Sequence, residues 1–163
     1  PAVAYGRVYI GNTDGKIYSF SASDGRLAWS KGTGAFVYGA AAVDNVDGLG
    51  PTVFVGSYDG NFYALNARSG GVRWSHQSGG KISGAPTVIG GIVYFSTTDT
   101  TNTYGLSTKT GRRVFAKGSG DYNPAISDGN RIYLTGYESV SSYVMRRDFK
   151  RENKERRAAL RKR

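Results

Sequence analysis

Cysteine is absent from this chain of 163 residues, and histidine and methionine occur once each. Without cysteine there is no disulfide, no thiol nucleophile and no zinc site built on thiolates, although the compartment is not decided by that. Proline is scarce, at 4 residues, and runs that favour long helices are few. No stretch approaches the roughly 18 consecutive apolar residues of a membrane-spanning helix. The chain opens Pro1-Ala2-Val3-Ala4, with neither an initiating Met nor a signal-peptide pattern, and is expected to have been cut there. What is plentiful is glycine, at 24 residues, and tyrosine, at 12. That balance predicts short strands joined by tight turns, in a length suited to one domain.

A net charge of +10 suggests a nucleic-acid partner until its distribution is read. Residues 146–163 hold ten Lys/Arg against three Asp/Glu, whereas the other 145 residues hold 12 against 9. The basicity is mostly a tail. Its Glu152 and Arg156 are spaced to support a helix slightly, but no apolar stripe would dock it on a core. Phe149 is its only aromatic residue, so no base-stacking platform is interleaved with the charges and no nucleic acid is expected. Contact with an anionic membrane surface stays open, beside a solubilising terminus.

Self-similarity is the main signal. Val8-Tyr9-Ile10-Gly11 leads through Asp14-Gly15 and Ile17-Tyr18 to Ala22-Ser23-Asp24-Gly25 and Trp29. Val53-Phe54-Val55-Gly56 leads through Asp59-Gly60 and Phe62-Tyr63 to Ala67-Arg68-Ser69-Gly70 and Trp74. Val93-Tyr94-Phe95-Ser96 leads through Asp99 and Tyr104 to Thr108-Lys109-Thr110-Gly111 and Phe115. The period is 45 and then 41 residues, and a fourth copy starts at Arg131-Ile132-Tyr133-Leu134. Each copy predicts four strands, the innermost a small-residue run such as Ser83 to Val88, with Asp-Gly turns supplying the positive φ that tight hairpins need. A four-stranded sheet cannot bury both faces alone, so the copies are expected to stack radially as an all-β propeller of antiparallel blades. The expected blades are 1–34, 35–79, 80–119 and 120–145, followed by the basic tail 146–163.

Val8 to Trp29 and Val53 to Trp74 resemble the repeat of the pyrroloquinoline-quinone-like (PQQ-like) propeller family, over about residues 1–145. WD40-type repeats fit less well, because Ser or Ala follows the aromatic position and no Gly-His pair precedes it. The resemblance implies that Trp29, Trp74 and, more weakly, Phe115 dock one blade on the next. A flat amphipathic ring at the end of an outer strand suits that role physically. Members generally have seven or eight blades, so about four blades make part of a ring. Blade four supplies three strands and lacks its outer one. Completion by missing upstream sequence or by a second copy, as a homodimer, is therefore expected. A self-contained four-bladed ring is the other arrangement. Members usually work outside the cytoplasm, implying an exported bacterial protein of the periplasm, cell envelope or exterior.

No catalytic residue can be assigned. The family's quinoprotein dehydrogenases use calcium, a catalytic Asp and often paired cysteines, and none of their motifs is matched here, so no cofactor is expected. Asp44-Asn45-Val46-Asp47-Gly48-Leu49-Gly50 resembles a degenerate calcium loop, but Leu49 stands where a carboxylate is needed, and a polar turn is the simpler reading. His76 has no identifiable triad or metal partner. Asp14, Asp59 and Asp99 recur at equivalent turns as turn formers. Tyr9, Tyr18, Tyr63, Tyr94, Tyr104 and Tyr133 are expected to be core aromatics. The function expected is a non-catalytic scaffold binding a protein through loops on one face, with Asp44, Asn45, Asp47 and Leu49 as the first contact surface. This resembles the family's propeller lipoproteins that help assemble outer-membrane barrels. A dehydrogenase fragment whose site lies in absent sequence, and a sensor for a small ligand, are the competing readings.

Overall fold

Hairpins of the repeat close where glycine takes positive φ at Gly15, Gly25, Gly60 and Gly70, whereas Thr101 takes it in the turn at Asp99. A computed structural model describes residues 1–118, 120, 125–136 and 138–144. The basic tail and Met145 lie outside them. The first blade consists of β1 (Ala2–Ala4), β2 (Arg7–Gly11), β3 (Lys16–Ser21) and β4 (Leu27–Gly32). The second consists of β5 (Ala42–Val46), β6 (Gly50–Gly56), β7 (Asn61–Asn66) and β8 (Val72–Gln77). The third consists of β9 (Thr87–Ile89), β10 (Ile92–Ser96), β11 (Asn102–Ser107) and β12 (Arg113–Gly118). The fourth shows β13 (Ile126–Ser127), β14 (Arg131–Thr135) and β15 (Val140–Val144). Three antiparallel sheets thus have four strands in sequence order and one has three, and the described residues contain no helix.

Period-2 alternation sends each blade's residues to two faces. Tyr9, Ile17 and Ser19 of blade 1 are buried beside Val53, Val55 and Leu65 of blade 2. Phe54, Phe62 and Ala64, on the other face of blade 2, pack on Val93, Phe95 and Leu106 of blade 3. The Phe62 and Phe95 rings stack with centroids 4.1 Å apart across that junction. Tyr94 of blade 3 packs on Ile132 and Leu134 of blade 4. Blades 2 and 3 therefore each offer a leading face to the blade before and a trailing face to the blade after. Burying each such large apolar side chain contributes about 1.5–3 kcal/mol, which is why the sheets stack.

Two sequence expectations shift in detail. The innermost strand of blade 3 begins at Thr87 and not at Ser83. Pro86 brings no N–H, and a Cβ on Gly39 would stand only 2.7 Å from the Gly84 carbonyl oxygen, so this segment passes too close to its neighbour to widen. The repeat tyrosines also divide. Tyr9, Tyr94 and Tyr104 are buried, whereas Tyr18, Tyr63 and Tyr133 are half-buried, with hydroxyls reaching carboxylates.

Candidate functional site

The turns joining β1 to β2 and β3 to β4, with their counterparts in later blades, share one end of the stack. Here Trp29 donates its indole N–H to the Ala67 carbonyl at 3.0 Å, and Trp74 donates to that of Thr108 at 2.9 Å. Both bonds join an outer strand to the next blade. Gly70 and Gly111, each at positive φ, lie directly under these rings, and a Cβ on either would stand 2.7 Å from indole carbons. Each junction therefore has a socket built of a carbonyl three residues before a glycine. Phe115 rests 5.4 Å from Tyr143 in blade 4, without an N–H to donate. An apolar cleft of about 510 Å3 lies beside it, lined by Ile92, Tyr94, Phe115, Ile132, Leu134 and Tyr143. Gly25, the equivalent glycine of blade 1, has open space where a ring would lie.

The stretch singled out in blade 2 belongs to the same end, but it is not a free loop. Asp44 and Asn45 lie within β5, paired with Thr52 and Pro51. Only Asp47, Gly48 and Leu49 form the turn, closed by the Leu49 N–H on the Val46 carbonyl at 2.9 Å. Leu49 is half-buried against the core shared by blades 2 and 3. The Asp47 carboxylate stands 4.0 Å from the Lys109 ammonium, an exposed pair of small energetic weight. Among the described residues no group of three or more His, Cys, Asp or Glu could hold a metal ion.

The opposite end carries the β2–β3 turns and the connections from each outer strand to the next inner strand. The connection 33–41 is fixed by the Val37 N–H on the Asn12 carbonyl and the Tyr58 N–H on the Phe36 carbonyl. Val37 is buried there, which leaves its sequence neighbours Phe36 and Tyr38 exposed by 47% and 54%. Phe36 meets Tyr38 edge-on at 5.7 Å, Tyr38 lies 5.0 Å from Tyr58, and Phe36 lies 6.4 Å from Tyr58. Lys81, from the next connection, places its ammonium 5.9 Å over the Tyr58 ring. The result is a triangle of three rings at the surface with one exposed cation beside it.

Sequence reasoning passed over this cluster because it sought what the repeats share. The signal lay in what they do not: where the first connection and turn have Phe36, Tyr38 and Tyr58, the next have Lys81, Ser83 and Thr98. Backbone bonding is conserved meanwhile, with the Thr98 N–H on the Lys81 carbonyl as Tyr58 is on Phe36. The backbone bonding is the same with either set, and Tyr58 adds a long hydroxyl bond to Ser83 at 3.4 Å.

Carboxylates at this end are already engaged. Asp59 accepts from the Tyr63 hydroxyl at 2.6 Å, the Gly34 N–H at 2.7 Å and the Asn61 N–H at 2.8 Å. Burial raises its pKa, but these donors outweigh burial and hold the carboxyl below its ordinary value, while burial and Asp59 push Tyr63 up. Tyr18 donates to Asp14 in the same way, and Asp99 accepts from the Lys81 N–H at 2.8 Å. At the tryptophan end, in the β13–β14 turn of blade 4, Tyr133 donates to Asp128, whose pKa falls to about 2 through that bond and the Arg131 and Asn130 N–H groups. His76, on β8, lies 6.2 Å from the Tyr104 ring. Burial first, then the Arg113 charge, lowers its pKa.

The model of the family described as outer membrane protein assembly factor BamB matches residues 43–140. BamB from Moraxella catarrhalis superposes with a TM-score of 0.72 at 18% identity, over 88% of this chain and 43% of its own. The computationally designed Ika4 protein gives a TM-score of 0.70 at 20% identity, over 88% of both chains. The quinohemoprotein alcohol dehydrogenase ADHIIG from Pseudomonas putida HK5 gives 0.71 at 20% identity, over 82% of this chain and 27% of its own. No curated protein matches. This chain spans less than half the length of the Moraxella protein, and these likenesses at low identity show the shared propeller fold. With repeats, blade stacking and family match in agreement, the chain belongs to the family of the outer membrane protein assembly factor BamB.

Proposed function

We propose that this chain is a non-catalytic scaffold of a bacterial cell envelope, holding a protein partner on one end of its propeller. One observation carries the reading: exposed Phe36 and Tyr38 form an aromatic cluster with half-buried Tyr58, on a framework whose backbone bonding does not depend on it. Exposed aromatic patches of this kind are characteristic of protein interfaces, where such rings supply contact area at low entropic cost. The hairpin tip with Asp47 and Leu49 is the weaker candidate, because Leu49 is committed to the core and Asp47 sits beside Lys109. A photo-crosslinking residue at Tyr38, with a control at Ser69 on the opposite end, tests this in cells. A single protein species captured from Tyr38 and not from Ser69 is expected. Equal capture from both ends, or none, would overturn the choice of end, and a quinone absorption band at one per chain would overturn the non-catalytic reading.

The same reading has further blades completing the ring. On the leading face of blade 1, Val3 and Ile10 are exposed by 72% and 39%, at the positions where blade 2 buries Val55 and half-buries Val43 against blade 1. Beside them the Ala22–Gly25 socket holds no ring. Upstream sequence or a second copy would cover this face, and light scattering distinguishes a dimer from a chain that stays single.

A further inference from the structure

The aromatic end also indicates what kind of partner it takes, an inference that rests on the docking role proposed above. Three rings in mutual contact offer apolar area with hydroxyl edges but no deep cavity, which suits side chains presented by an extended segment. Directly over the rings the charged group is a cation, the Lys81 ammonium 5.9 Å from the Tyr58 centroid. Asp59, the carboxylate that reaches across to Gly34 in the same connection, spends both oxygens on Gly34, Asn61 and Tyr63. Asp99, on the far side of Lys81, accepts from the Lys81 backbone through one oxygen, Oδ1. Lys81 itself is exposed, and among the described residues no carboxylate lies within 4.0 Å of its ammonium. A lysine ammonium has three donors and no acceptor. The charged group that meets the rings at the rim of the cluster is therefore a cation.

We infer that this end binds an acidic segment of a protein partner, with apolar side chains against Phe36, Tyr38 and Tyr58 and a carboxylate on Lys81. A basic segment is disfavoured, since its cation would face Lys81 across the same rings. The cation over Tyr58 also keeps that ring from serving as a cage for a quaternary ammonium.

The test titrates the full chain with two synthetic peptides, acetyl-Asp-Phe-Glu-Leu-Asp-Phe-Glu-amide and its counterpart with lysine at every acidic position. Ring signals of Tyr38 and Tyr58 are followed by NMR, which separates this site from the basic tail. The acidic peptide is expected to shift both rings, and the lysine peptide is not. Phe36→Ala and Tyr38→Ala should each weaken the acidic peptide by about tenfold or more, as loss of an aromatic anchor does. Lys81→Glu should reverse the preference between peptides, a gain that misfolding cannot imitate. If both peptides shift the rings equally and Phe36→Ala abolishes both, the acidic partner is overturned while the docking end stands. If the acidic peptide binds without moving either ring, or neither peptide binds, the inference and its parent reading fall together.

Discussion

Each end of this propeller repeats its own turns from blade to blade, yet the two ends use their aromatic residues in opposite ways. At one end Trp29 and Trp74 are each matched by a carbonyl and a glycine on the following blade, and Leu49 closes the hairpin tip against the core. At the other end Phe36, Tyr38 and Tyr58 pack on one another, Tyr58 reaches Ser83 and lies under Lys81, and Lys81 is left without a carboxylate partner among the described residues. The difference teaches that an aromatic residue is structural when its neighbours are shaped for it. Where the framework is the same with lysine, serine or threonine in its place, the ring is free to serve a partner.

Substitutions should separate the ends by what they change. Trp74→Ala empties a socket and orphans the Thr108 carbonyl, and is expected to cost about 3–5 kcal/mol in urea unfolding. Gly70→Ala, forced against the Trp29 ring at a positive φ of 74°, should cost about 2 kcal/mol by the same measurement. At the other end Tyr63→Phe removes one of three donors to Asp59 and should cost about 1 kcal/mol at neutral pH. It should also flatten the acid limb of stability. A carboxyl with a lowered folded pKa stabilises fully above its unfolded value, here 3.8, and that share is lost as pH falls through the folded value. His76 acts in the same direction from 6.5 downward, so His76→Gln should remove a small part of the slope between neutral and mildly acid pH. Tyr38→Ala should move stability by no more than about 0.5 kcal/mol, the smallest effect of the series.

The fold was legible because its determinants recur. Asp-Gly turns, a strand tyrosine and a closing tryptophan repeat at a nearly constant period, and each copy demands neighbours for both of its faces. The partners of those tryptophans were not legible, since Ala67 and Thr108 lie 38 and 34 residues away and only the blade stacking brings them close. The stretch Asp44 to Gly50 looked like a polar loop because polarity alone does not distinguish a turn from the exposed edge of a lengthened hairpin. The aromatic cluster escaped notice for a different reason. Phe36 and Tyr38 flank buried Val37 in an alternation typical of a strand, and Tyr58 joins them only through folding.

The central claim is that stability resides at the tryptophan end and recognition at the aromatic one. Its most direct test measures urea stability and acidic-peptide affinity together on Trp74→Ala and Tyr38→Ala, at a temperature where both remain folded. The account predicts a crossed result, with Trp74→Ala destabilised but binding normally and Tyr38→Ala stable but binding about tenfold more weakly. Parallel losses of both properties in both variants, or unchanged affinity in Tyr38→Ala, would contradict it.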